Sequence, residues 1–113
     1  MDLPKSAQEK IQKLQLYEQK INALMLQKQE FEAQAIEIDS AITAISQSKE
    51  KESYKIIGNV MILSENSKLK EDLEGNKRKL ELRIKSLEKQ ENELKSVAEA
   101  IQKEVLKQME GKK

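Results

Sequence analysis

The chain has 113 residues, room for one unit, and 36% of them are charged. Its 21 basic and 20 acidic residues are well mixed along the chain and leave a net charge of +1, which excludes the single-sign field that nucleic-acid binding requires. Cysteine and histidine are both absent, so disulfides, thiolate–zinc sites and the commonest general base have no residues to work with.

Lys, Glu, Gln, Leu and Ile dominate, and Pro4 is the single proline. This is a long-helix or coiled-coil composition. So much charge also suits disorder, but regular apolar spacing argues against that. Met1-Asp2-Leu3-Pro4-Lys5 lacks the apolar run of a signal peptide. No stretch approaches the roughly 20 apolar residues of a membrane span. The expectation is a soluble, cytoplasmic protein.

The first element is a helix over 5–49. From Leu14 to Ile45 it keeps a 3-4 repeat through Leu14, Tyr17, Ile21, Leu24, Lys28, Phe31, Ala35, Ile38, Ile42 and Ile45. Apolar or aromatic residues fill this seam except at Lys28, and Gln, Glu and Lys fill most of the gaps, as in a coiled coil. Lys49-Glu50-Lys51-Glu52 reads as a solvated helix end.

A β-hairpin over 54–63 follows. Gly58-Asn59 separates Tyr54-Lys55-Ile56-Ile57 from Val60-Met61-Ile62-Leu63, a two-residue turn in which glycine supplies the positive φ. Neighbouring apolar residues point to opposite faces, so both faces seek burial. An isolated two-stranded hairpin is marginal in water, and its edges invite partners. So hydrophilic a chain has little with which to cover them. Strands from several subunits joining in one sheet or barrel is the resolution this predicts.

The second helix covers 66–110. Its seam runs Leu73, Leu80, Ile84, Leu87, Leu94, Ala98, Ile101, Val105, with Lys77 and Glu91 as polar interruptions. Gly75 costs about 1 kcal/mol inside a helix. Ser64, Asn66 and Ser67 are all candidates to cap it. Two helices of about 45 residues, close to 70 Å each, joined by a short link return along one another. The fold class is mainly α: an antiparallel two-helix coiled coil linked by one β-hairpin that joins an oligomeric β-barrel.

The order helix, Tyr-Lys-x-x-Gly hairpin, helix resembles the beta-class subunits of the prefoldin family of archaeal and eukaryotic co-chaperones. The resemblance is carried by Leu26-Gln27-Lys28-Gln29, by Tyr54 to Ile62, and by Leu80-Glu81-Leu82-Arg83-Ile84 with Lys89-Gln90-Glu91-Asn92. It covers nearly the whole chain, and the hairpin is its specific part. Alpha-class subunits carry two hairpins and are longer. Gly75, where a strong helix former is expected, and a very short C-terminal tail depart from the pattern. The resemblance implies a hexamer of two alpha and four beta subunits, with a double β-barrel platform and six hanging coiled coils. It implies capture of non-native polypeptides at the coiled-coil ends, delivery to a group II chaperonin, and no use of nucleotide or other cofactor.

Three groups of residues are candidate sites. Near the helix ends, Leu3, Ile11, Val105, Leu106 and Met109 are the apolar residues a client could meet, Leu106 and Met109 lying off the seam. Methionine adapts to varied partners, although frayed ends with stray hydrophobes are a simpler reading. In the hairpin, Tyr54, Ile56, Ile57, Gly58, Val60, Met61, Ile62 and Leu63 form the assembly cluster. In the seams, Lys28 and Glu91 sit at similar heights and either pair to fix register or reach solvent separately. Leu16, Leu26, Ile36 and Leu82 lie off the seam, and Ile36 and Leu82 are near enough to the hairpin to touch neighbouring subunits.

Catalysis has no footing, because the carboxylates lie on solvated faces among lysines. The leading reading is an ATP-independent chaperone subunit. A coiled-coil adaptor or tether is the alternative, but it has no need of doubly apolar strands. A nucleic-acid-binding helical arm would need a basic face.

Overall fold

The structure is a computed structural model and describes residues 4–110. Its elements run α1 (Lys5–Gln47), β1 (Glu52–Ile57), β2 (Val60–Glu65) and α2 (Asn66–Glu110). This is the mainly α architecture with a single hairpin that the periodicity predicts. Among the described residues no helix is long and apolar enough to cross a membrane.

The helix α1 stops two residues short of 49, and Ser48 is the reason. Its N–H donates to the Ile45 carbonyl at 3.2 Å, three residues back, and its Oγ accepts from the Glu50 N–H at 3.2 Å. A hydroxyl offering the backbone this local alternative ends the helical ladder.

The antiparallel hairpin is longer than its apolar core. Ile57 faces Val60 and Tyr54 faces Leu63, and the ladder continues through Ser53↔Ser64 to Glu52↔Glu65. Those polar pairs carry no apolar signal, so an expectation built on 54–63 misses them. Gly58 has φ +59° at the first turn position, and no non-glycine among the described residues has positive φ. Glycine first is the pattern of a type II′ turn, whose twist matches that of the strands.

Asn66 clasps the base of the hairpin. Its N–H donates to the Lys51 carbonyl at 2.8 Å, its Nδ2 donates to the Glu50 carbonyl at 2.7 Å, and Ser53 Oγ donates to its Oδ1. Of the three cap candidates it takes the first helical position, and it spends its side chain on the hairpin rather than on the first turn.

The chain packs as two compact units, one built from residues 4–29 with 85–110, the other Glu30–Ile84. In the first, Ala7, Leu87 and Val105 are buried, and Leu14, Tyr17, Ile21 and Leu24 are half-buried opposite Leu94, Ala98 and Ile101. The ion pair Lys10–Glu104 (3.1 Å) shows that the two helices run antiparallel there. In the second, Leu69 and Leu80 are buried, Phe31, Ala35, Ile38, Ile42 and Ile45 are half-buried, and the Arg83 guanidinium lies 5.8 Å from the Phe31 ring centre. All ten α1 seam positions, and their α2 counterparts, are covered. Among the described residues no large side chain is fully buried, as a two-helix seam dictates.

Candidate interaction surfaces

Alternation along the strands sorts the hairpin into two faces. Tyr54, Ile56, Met61 and Leu63 share one; Lys55, Ile57, Val60 and Ile62 share the other. Every one is exposed, Lys55 included, and the seven others range from Ile62 at 44% to Ile56 at 69%. Apolar side chains this exposed on both faces of a two-stranded sheet constitute an interaction surface. Both outer edges also present unpaired backbone groups. Beneath β1, Ala41, Ala44 and Ile45 of α1 and Leu69 and Leu73 of α2 line an apolar hollow of about 330 Å³.

At the chain ends the structure separates the residues that sequence grouped. Val105 is 6% exposed and is removed from the free surface, and Ile11 is half-buried. Leu106 and Met109 are exposed, and their spacing of three puts them on one face of α2. Leu3 lies outside the described residues.

Lys28 and Glu91 meet. Lys28 Nζ donates to Glu91 Oε2 at 3.1 Å, while Lys95 Nζ sits 2.9 Å from the other carboxylate oxygen. Glu91 is the buried charge of the seam at 5% exposure. Hydrogen bonds from Lys95 and then Lys28 hold its carboxyl below the ordinary 4.5, against the opposing effect of burial. Lys95 was legible as the i+4 partner of Glu91. In the other unit Lys77, read as a lone polar interruption, pairs with Asp39 at 2.6 Å and lies 3.8 Å from Glu81. The Asp39 hydrogen bond raises the Lys77 pKa above 10.5. Asp39 flanks the seam instead of occupying it, so the seam spacing does not mark it. Among the described residues no cluster of three or more acidic groups could hold a metal ion.

The sequence pattern of the family described as Prefoldin subunit matches residues 8–112. Prefoldin subunit beta of Sulfurisphaera tokodaii is 30% identical, over 91% of this chain and 83% of that protein. Prefoldin subunit beta of Pyrobaculum arsenaticum is 27% identical, over 95% of this chain and 87% of the other. The crystal structure of the prefoldin beta subunit from Thermococcus strain KS-1 superposes with a TM-score of 0.86 at 23% identity, covering 92% of each chain. With its hairpin, its paired helices and its sequence all in agreement, the chain belongs to the prefoldin family and matches the family's beta-class subunits.

Proposed function

We propose that this chain is the beta subunit of an ATP-independent, non-enzymatic chaperone of the cytoplasm. It assembles with alpha-class subunits and with further copies of itself, two alpha to four beta, captures non-native polypeptides and passes them to a group II chaperonin. The observation that carries this reading is the hairpin, whose apolar residues are exposed on both faces and left uncovered by the described residues. An adaptor coiled coil gains nothing from such strands. Client contact falls to Leu106 and Met109, exposed on one face near the α2 end.

The test is light scattering after size exclusion, on the chain alone and mixed with an alpha-class subunit. A discrete six-chain particle is expected, and Ile57→Lys or Ile62→Lys should abolish it with helical content retained. An intact hexamer from either variant refutes the role of the hairpin. Leu106→Ser with Met109→Ser should keep the particle and weaken suppression of aggregation of a denatured client. Unchanged suppression would place client contact elsewhere.

A further inference from the structure

The mixed charge of the whole chain conceals a segregation within the unit Glu30–Ile84. Residues 30–47 of α1 contain the acids Glu30, Glu32, Glu37 and Asp39 and no basic residue. Residues 66–84 of α2 hold six basic residues against four acidic. This opposition is scarcely used inside the chain: one ion pair, Asp39–Lys77, links the two helices among the described residues of this unit.

The unused charges lie on the outer faces. Heptad position puts Glu30, Ile36 and Glu37 of α1 on the side away from the seam, and Arg78, Lys79 and Leu82 of α2 on theirs. All six are exposed, and Ile36 and Leu82 are 67% and 68% exposed. Each face thus shows one large aliphatic side chain flanked by charges, acidic on α1 and predominantly basic on α2, where the exposed Glu81 lies 3.8 Å from Lys77 of its own helix. A helix as weakly charged as α1 between Ala33 and Gln47, with Glu37 and Asp39 its only ionic residues there, is poorly suited to water all round.

We propose that the outer face of α1 below the hairpin packs against the outer face of α2 of a second copy of this chain, head to tail. This rests on the assembly reading above and adds a second contact to it. Charge complementarity selects the occupant. Two α1 faces would oppose acid to acid, whereas α1 against α2 pairs opposite charges around Ile36 and Leu82. Such a contact is heterologous, joining unlike faces of two copies, and it abuts the strands that carry the rest of the assembly.

The test uses the full chain, alone and reconstituted with an alpha-class subunit, in about 50 mM salt, where surface charges act over more than 10 Å. Glu30→Lys with Glu37→Lys, and separately Arg78→Glu with Lys79→Glu, should each raise the dilution midpoint of assembly about tenfold, as expected for two exposed pairs turned repulsive. The four substitutions together should restore it, because every contact regains opposite charges. Circular dichroism checks that the helices persist. A wild-type chain that stays monomeric under both conditions overturns the assembly reading and this contact together. Wild-type assembly that neither double variant changes, or that the fourfold variant fails to restore, overturns the contact alone.

Discussion

Replacing Gly75 by alanine should stabilise the chain by about 1 kcal/mol, the difference in helix propensity between the two residues. Gly75 is helical, deep in α2, and its φ is not in the positive region that would require glycine. A Cβ built there meets only Arg78 Nη2, at 3.9 Å, an ordinary van der Waals distance to the far end of a flexible side chain. No strain therefore offsets the gain, which arises largely from the smaller conformational freedom of the unfolded alanine chain. For a chain of this size 1 kcal/mol at the midpoint corresponds to a Tm rise of roughly 4–8 °C. The assay is thermal unfolding by far-UV circular dichroism at fixed protein concentration, since assembly makes Tm depend on concentration. An unchanged or lowered Tm would refute the reasoning. A Tm gain accompanied by weaker assembly would point to a helix of another copy passing close over the bare backbone at Gly75. That outcome fits the position's place seven residues before Leu82, on the same face of α2.

Asn66→Ala removes two side-chain hydrogen bonds at the hairpin base and should cost roughly 1–2 kcal/mol. The loss should show as faster amide exchange in Glu52–Glu65 than in either helix, and uniform acceleration would contradict the clasp. Leu80→Ala empties one of the buried seam positions and should cost about 2–3 kcal/mol, near the low end for leucine because two helices can close on the gap; a cost under about 0.5 kcal/mol, as for surface changes, would mean the seam is not the core. The carboxyl of Glu91 has its pKa lowered on folding, so its contribution is present above 4.5 and is lost as pH falls through the lowered value. Lys77 has its pKa raised, so its contribution is present below 10.5 and fades as pH climbs through the higher value. The stability gap between wild type and Glu91→Gln should therefore close in acid, and that for Lys77→Met in alkali; a pH-independent gap in either would discard the pairing. A double-mutant cycle over Lys28 and Glu91 should give non-zero coupling, and zero coupling would end the claim that they set register.

Much of the architecture was legible because it depends on periods. A 3-4 spacing sustained from Leu14 to Ile45 leaves the chain one way to remove those side chains from water, and each of these positions is covered in the folded chain. The turn was legible because Gly58 alone in its segment tolerates φ +59° without cost. Element ends were less so. They are set by single hydrogen bonds, as at Ser48 and Asn66, and a hydroxyl or amide does not announce which neighbour it will choose. For the same reason Glu52 and Ser53 pair with Glu65 and Ser64 without any apolar signature.

The interaction surfaces divide along the same line. Hairpin exposure follows from sequence, since two apolar faces cannot both be covered by two charged helices. The distinction between Val105 and Leu106 needs the helix phase relative to its partner, because adjacent residues of equal hydrophobicity differ only in which way they point. Charge is the instructive case. Summed over the chain it is nearly zero, a balance that argues against a single-sign surface for nucleic acid. Yet a balanced total is compatible with acids gathered on one helix and bases on its neighbour, and it is the distribution over a surface, not the total, that another chain meets. Between Glu30 and Ile84 the helices differ in sign, but only Asp39 and Lys77 bring that difference to bear within the chain. The remaining charges, grouped beside Ile36 and Leu82, keep those faces solvated in the single chain, and in the proposed contact a second copy of this chain meets them with the opposite sign.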